Sequence, residues 1–341
     1  MINSISLHNF RNVGNKTYDL NNNLIIFVGN NGVGKTSILE AIYLCTTSKS
    51  HRTNNFKDLI RFNNSNSEVL LKTDNRYLSI YLGENKSYFI NGKKVNNLEF
   101  INNIHTVIFS NLDLNYITGS KSLKLKYVDM MISLINTNYL KLLIEYKKII
   151  KERNSLLKKI QIDKIYLKVL DEKLIEYIFY INKYRNKFYR LMNEQLEMIT
   201  KELKIESIYI DFKLDKTIEN IASALHENFQ NDLKYKRTTY GPHSDYIEFI
   251  IDNKNANKFA SQGQIRSIAI ALKLGLVKIM NLNKIEPILL LDDVFAELDE
   301  NRQSSLIKYL NNVQTLITTT SLSDIPKELL DKAKIYTLRK D

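Results

Sequence analysis

Cysteine occurs once, proline three times and glycine only ten times in this 341-residue chain. A lone Cys45 excludes an intrachain disulfide framework and fits a reducing cytoplasm, where the protein is expected to reside. So few prolines, with no low-complexity linker, leave no clean break between domains. No apolar run approaches the roughly 18 residues that suggest a membrane-spanning helix, so no membrane partner is expected. The N-terminus, MINSISLHNF, has neither a basic segment nor an apolar one, and no signal peptide is expected. The five histidines (His8, His51, His105, His226 and His243) are scattered without metal-ligand spacing, which argues against structural zinc. Between Gly119 and Gly241 there is neither glycine nor proline.

What the chain does have is apolar residues, at 44%, enough for a large core and for more than one domain. It also carries a formal charge of +12, which points to nucleic acid or another polyanion. The richness in Asn, Lys, Ile and Tyr, which AT-rich coding favours, is a second source of the same charge. Its distribution says more: residues 141–190 hold 14 Lys/Arg against 6 Asp/Glu, a net of +8. Within that stretch Lys147, Lys148, Lys151, Arg153, Lys158 and Lys159 are candidate DNA contacts, made to phosphates rather than bases. The alternative for them is a solvated helix surface.

Hydrophobic periodicity then divides the chain. Residues 1–118 alternate short strand-like runs with Asn- and Gly-bearing turns. LIIFVGNN (24–31) reads as a buried strand entering a glycine loop, and KTSILEAIYLC (35–45) as a helix with Ile38, Ala41, Ile42 and Cys45 on its apolar face. YLSIYLG and SYFINGKKV read as two strands, the second bent at Asn91–Gly92. From about 120 to 203 the pattern is helical, with two long amphipathic runs that fit a helical hairpin. After GPHSDYIEFIID (241–252) strand–helix alternation returns. The fold predicted is an α/β head, residues 1–119 and 237–341, split by an inserted helical, coiled-coil-like lobe at 120–236.

Gly29-Asn30-Asn31-Gly32-Val33-Gly34-Lys35-Thr36 matches the G-x4-G-K-[ST] phosphate loop, with a strand before it and a helix, opening at Thr36-Ser37, after it. Such glycines let backbone N–H groups wrap a triphosphate at the positive end of the helix. Lys35 is expected to reach the β- and γ-phosphates of ATP, and the Thr36 hydroxyl to bind Mg²⁺. PILLLDDVFAELD (287–299) adds a central strand that delivers two carboxylates to its C-terminal edge, where open α/β sheets bind ligands. Asp292 is expected to hold Mg²⁺, through water, and Asp293 to orient or deprotonate the attacking water. A buried strand ending in a polar turn is the alternative.

Ser261-Gln262-Gly263-Gln264 opens a further helix 31 positions before Asp292. In that order it resembles the signature motif of the ABC ATPase superfamily. The resemblance implies that Ser261, Gly263 and Gln264 cap the γ-phosphate of an ATP held by a second copy of the chain, and that Asp299 belongs to the D-loop. A Ser/Gln helix cap without a ligand is the alternative. The 226 positions between Lys35 and Ser261 are too many for a transporter subunit, and the insert is far too short for an SMC rod. The 42 residues after Asp299 are too few for a C-terminal nuclease.

Several further stretches are more idiosyncratic: LHNFRN (7–12), SHRT (50–53), VIFSNLDLNYITGS (107–120), ERNSLLK (152–158), GPHSD (241–245), FASQGQIR (259–266) and LLLDDVFAELDENR (289–302). With these the whole chain resembles the RecF family of bacterial recombination and gap-repair ATPases. That resemblance implies a cytoplasmic protein with weak, DNA-stimulated ATPase activity, which dimerises with ATP and binds double-stranded DNA near single-strand gaps and junctions. It implies RecR and RecO as partners, RecA loading downstream, and a role in recombinational repair, replication-fork maintenance and SOS induction. It also makes Arg11, in LHNFRN, a nucleotide-site residue. The chain departs from the family where Asn111-Leu112 replace Pro-Glu, where Lys124, Leu125 and Lys126 replace an arginine cluster, and at Ser244, often Arg. A bidentate Arg is not replaced by Lys without loss, so contacts that relied on those arginines are in doubt. An ABC-type regulatory or anti-phage ATPase, coupled to a nuclease or toxin, is the competing function.

Overall fold

The computed structural model describes every residue except Lys216, Asp299, Asn311, Asn312 and Asp341. In chain order its strands are β1 (Ile2–Phe10), β2 (Val13–Asp19), β3 (Leu24–Val28), β4 (Ser67–Thr73), β5 (Tyr77–Leu82), β6 (Lys86–Ile90), β7 (Lys93–Val95), β8 (Thr106–Phe109), β9 (Ile208–Lys213), β10 (Tyr246–Ile251), β11 (Lys254–Asn255), β12 (Ile288–Asp292), β13 (Thr315–Thr319) and β14 (Lys334–Thr337). Two compact units emerge: residues 1–113 with 280–341, and residues 114–279.

The first unit is built from two sheets. One is antiparallel, in the order β2-β1-β4-β5-β6-β7; the other is parallel, in the order β14-β3-β13-β12-β8. β3 and β13 are buried along their whole length, which is why they read as near-continuous apolar or β-branched runs. The helix Lys35–Thr47 shares one core with both sheets. Besides Ile38, Ala41, Ile42 and Cys45, its Leu39, Tyr43 and Leu44 are buried. The apolar face read from the periodicity is therefore most of the circumference, as expected for a helix covered on opposite sides. SYFINGKKV forms a hairpin rather than one bent strand. Asn91 (φ 50°) and Gly92 (φ 78°) are both left-handed, the two-residue turn whose twist matches the β6–β7 pair.

The second unit carries the helices Lys121–Ile135, Thr137–Leu156 and Lys164–Leu203, the three-stranded antiparallel sheet β11-β10-β9, and most of the helix Gln262–Leu282. At 40 residues, Lys164–Leu203 is about 60 Å long at 1.5 Å per residue. Its buried residues Leu167, Leu170, Leu174, Ile178 and Ile181 recur at three and four positions, and it packs against Thr137–Leu156 as a helical hairpin. Side chains cap both starts: Asn136 accepts from the N–H groups of Asn138 and Tyr139, and Asp163 from those of Ile165 and Tyr166. The unit is longer than the 120–236 insert, since it takes in GPHSD, β10 and the start of the signature helix.

Two buried arginines hold this unit together. Arg185 is 1% exposed and donates to Asp129 (2.8 Å), Asp245 (2.6 Å) and the Pro242 carbonyl (2.7 Å). Arg153 is 0% exposed and donates to Asp171 (2.6 Å), Asp232 (2.6 Å) and Thr238 Oγ1 (2.9 Å). Here the structure corrects the reading of Arg153 as a DNA contact, because its guanidinium is enclosed and already neutralised by two carboxylates. Removing one partner of a buried pair strands the other charge. Arg153→Ala should therefore cost about 3–5 kcal/mol of stability in denaturant unfolding, because Asp232 is left buried without its cation. Unchanged stability would mean that Arg153 holds nothing.

Candidate nucleotide site

The phosphate loop leaves β3 and returns into the helix Lys35–Thr47 through Gly34, whose φ of 101° is a conformation that a side chain would strain. A Cβ there would also meet Val13 Cγ2 at 3.0 Å. No side chain caps this helix, so its first N–H groups point into the loop without an acceptor from a capping residue. Lys35 folds back under the loop, where its Nζ donates to the carbonyls of Gly29 (2.7 Å) and Asn30 (3.2 Å). Asn30, Asn31 and Gly32 are exposed, and Val33 is half-buried. Asn12, which sequence reasoning did not single out, pins the loop. Its Nδ2 donates to the Gly32 carbonyl (2.7 Å) while its Oδ1 accepts from the Ser37 hydroxyl (3.0 Å).

Asp292 ends β12, and β13 lies between it and β3. The Thr36 hydroxyl donates to Asp292 Oδ1 at 2.8 Å, which closes the phosphate loop onto the second motif. Thr318, its register partner on β13, donates to the same oxygen at 2.8 Å. That residue was also missed, because the parallel register that pairs positions 292 and 318 is invisible in the sequence. Burial pushes the Asp292 carboxyl above the usual range, the two threonine hydrogen bonds work against this, and the charge of Asp293 adds to it. Asp293 is held in the left-handed region (φ 54°), with its N–H donating to Thr318, and its Oδ1 is buried without a hydrogen-bond partner among the described residues. The Thr36 hydroxyl, the Asp292 carboxylate and the unpartnered Asp293 oxygen are the hard oxygen donors that a divalent cation prefers, so the residues fit Mg²⁺.

Arg11 is placed differently from the loop residues. Its Nε and Nη2 grip Glu40 at 2.8 and 2.6 Å, and Nη1 donates to the Asp58 carbonyl at 2.8 Å. Glu40 is fully buried in the phosphate-loop helix and also accepts from Ser50 (2.5 Å) and Arg52 (3.4 Å). Two residues of SHRT thus meet Arg11 of LHNFRN on one carboxylate.

The signature stretch lies in the second unit. Ser261 Oγ accepts from the Gln264 N–H (3.2 Å) and Gln264 Oε1 accepts from the Ser261 N–H (2.8 Å), a reciprocal capping box. Both cap and signature readings are compatible with this geometry. Ser261 and Gln262 remain exposed, and a Cβ on Gly263 would meet nothing nearer than Ser261 Oγ at 4.0 Å. Packing within the chain therefore does not require a glycine there. Asp299 lies outside the described residues. Of the arm lysines, Lys147, Lys151, Lys158 and Lys159 are exposed, and Lys148, also exposed, pairs with Glu145 at 2.6 Å. Lys124 is buried in an ion pair with Glu248, so it presents no charge to a partner.

The family model of the RecF/RecN/SMC N terminal domain matches residues 1–336. The DNA replication and repair protein RecF of Oenococcus oeni is 34% identical, over 99% of this chain and 98% of that protein. The chain belongs to the RecF family. RecF of Staphylococcus epidermidis is 33% identical with the same coverage. The solved structure of the recombination mediator protein RecF-ATP in the RecFOR pathway superposes with a TM-score of 0.91 at 30% identity, covering 100% of this chain and 97% of that one. A Pyrococcus furiosus Smc head domain, at 17% identity and a TM-score of 0.57 over 99% and 94% of the two chains, shares the fold. Replication and recombinational repair of DNA is accordingly the function of this RecF-family chain, on an ABC-type ATPase head with a long helical insertion.

Burial works to raise the Glu40 carboxyl, but the hydrogen bonds from Arg11 and Ser50 and the charges of Arg11 and Arg52 outweigh it and hold the group below 4.5. A carboxyl depressed by folding contributes stability above its unfolded value that is lost as pH falls through the folded one. Glu40→Gln should therefore be destabilised relative to the parent at pH 7 by about 1–3 kcal/mol, with the gap shrinking below pH 4.5. Denaturant unfolding at both pH values checks this; a gap that grows in acid would contradict the assignment.

Proposed function

We propose that the chain is an ATP-dependent DNA-binding protein that binds MgATP at Gly29–Ser37, pairs with a second copy of itself, and turns over slowly with stimulation by DNA. It acts in the cytoplasm on duplex DNA near single-strand gaps, with RecR and RecO, to promote RecA loading. One observation carries the reading: an uncapped helix start, a lysine and the Thr36–Asp292 pair converge at one sheet edge. Thr36 and Asp292 would hold magnesium, which when bound neutralises charge on the phosphates. Lys35 then leaves the carbonyls of Gly29 and Asn30 for the β- and γ-oxygens. Asp293, with a buried unpaired oxygen, orients the attacking water and accepts its proton as the bond to ADP breaks. Asn12 keeps the loop open through Gly32 and Ser37. Arg11, held by Glu40, is the reserve cation beside the loop.

Ser261, Gly263 and Gln264 offer a hydroxyl and an unobstructed helix start to the γ-phosphate in the partner copy, with Asp299 following. Of the arm lysines, Lys147, Lys151, Lys158 and Lys159 are the phosphate contacts. Replacing them should flatten the slope of log affinity against log salt by about 0.9 for each duplex phosphate that is no longer neutralised. The anti-phage reading has no supporting observation, since the relatives of matching length are replication and repair proteins.

Lys35→Ala should abolish ATP binding, whereas Asp293→Asn should retain it and lower turnover by about a hundredfold or more. Normal hydrolysis by Asp293→Asn would remove that residue from the chemistry. Ser261→Arg should bind ATP on its own intact loop yet stay monomeric with ATP in sedimentation, because a bulky cation replaces a small hydroxyl at the shared phosphate. A Ser261→Arg protein that still dimerises with ATP would make this stretch a helix cap alone.

A further inference from the structure

The helix Phe229–Tyr235 ends at Lys236, which is left-handed (φ 51°). The turn presents Lys234, Tyr235, Lys236 and Arg237, all exposed, with Tyr235 at 55%. Among the described residues none of these three cations has a carboxylate partner. Lys234 Nζ lies 5.5 Å over the Tyr235 ring, and more than half of that residue is open to solvent.

This turn is firmly anchored. Asp232, at 0% exposure, accepts from Arg153 Nη1 (2.6 Å), the Thr239 N–H (2.7 Å) and the Thr239 hydroxyl (2.6 Å), and its carbonyl accepts from the Arg237 N–H (3.1 Å). On the other side Thr238 donates through its N–H (2.6 Å) and hydroxyl (2.8 Å) to Asn154 Oδ1. Asn154 continues a helix face that carries Lys147 and Lys151 at three- and four-residue spacing. The basic turn is thereby tied to the arm helix at Asn154, and the buried Arg153 fixes it there through Asp232 and Thr238.

We infer that this surface binds a single strand of nucleic acid, with backbone phosphates on Lys234, Lys236 and Arg237 and an unpaired base stacked on Tyr235. Cations alone would suit any polyanion, and a cation at a helix C-terminus also stabilises the helix. Neither role uses an exposed phenol ring. A duplex presents phosphates and groove edges while its base faces stay stacked on one another. A single strand exposes base faces, and an aromatic side chain stacks on them with little regard to sequence. The inference rests on the DNA-binding reading above and adds to it a place for the unpaired strand, which a protein at a gap must distinguish from duplex.

The test is anisotropy of the full-length protein, with MgATP present throughout, with fluorescent oligo(dT) and with a blunt duplex of equal length, across a salt series. Tyr235→Ala should weaken oligo(dT) binding about fivefold or more, with its salt slope unchanged and duplex binding preserved. Tyr235→Phe should bind oligo(dT) as the parent does. Replacing Lys234, Lys236 and Arg237 together by Ala should lower the oligo(dT) salt slope by about 2. If Tyr235→Ala binds oligo(dT) as tightly as the parent while the parent binds both DNAs, the stacking site is overturned and the DNA-binding reading stands. A parent that binds neither DNA overturns both.

Discussion

The hydroxyl of Thr36 and the carboxylate of Asp292 meet at 2.8 Å across 256 positions of sequence. That contact depends on the parallel sheet. β3 and β12 flank β13, so the loop after one strand and the carboxylate ending the other arrive at the same edge, with Thr318 between them on the same oxygen. A carboxylate in so enclosed a place is pushed toward its protonated form by burial. Two hydroxyl donors offset part of that cost, and a divalent cation would offset the rest. Asp293, beside this pair, combines a left-handed backbone with a buried oxygen that has no hydrogen-bond partner among the described residues.

Elsewhere the chain uses buried ion pairs to set position. Glu40 gathers Arg11, Ser50 and Arg52 next to the phosphate loop. Arg185 ties Asp129 to Pro242 and Asp245 of the GPHSD turn, and Arg153 ties Asp171 and Asp232 to Thr238. Burying such charges gains little net stability over apolar packing, but breaking any one of them is costly because the remaining charge is stranded. Their effect is therefore to specify one arrangement of loops that carry little apolar packing of their own. The arm shows the consequence: one of its cations, Arg153, holds the basic turn 234–237 in place, while Lys147 and Lys151 beside it stay exposed.

Much of the head was legible from sequence because its signals are local. The phosphate loop needs glycines at fixed spacing, β12 needs an apolar run ending in two aspartates, and the helical insert needs an uninterrupted amphipathic pattern without glycine or proline. Family membership added what local chemistry does not encode, the restriction to recombinational repair. Thr318, Asn12 and Glu40 were not legible: each is an ordinary residue in its own neighbourhood and acquires a role only from a strand register or a loop packed against it. The single bent strand predicted at 87–95 became a hairpin because Asn91 and Gly92 both adopt positive φ.

Sequence alone determined the phosphate loop, the paired aspartates, the helical hairpin and the excess of positive charge, since each is a property of residues adjacent in the chain or at helical spacing. Tertiary structure decided which charges face solvent. Arg153 and Lys148 lie five residues apart in one basic helix, yet one is enclosed by Asp171 and Asp232 while the other is exposed. Periodicity distinguishes the faces of a helix, but what covers a face depends on segments far away in the chain, here the turn after Asp232 that docks on Asn154.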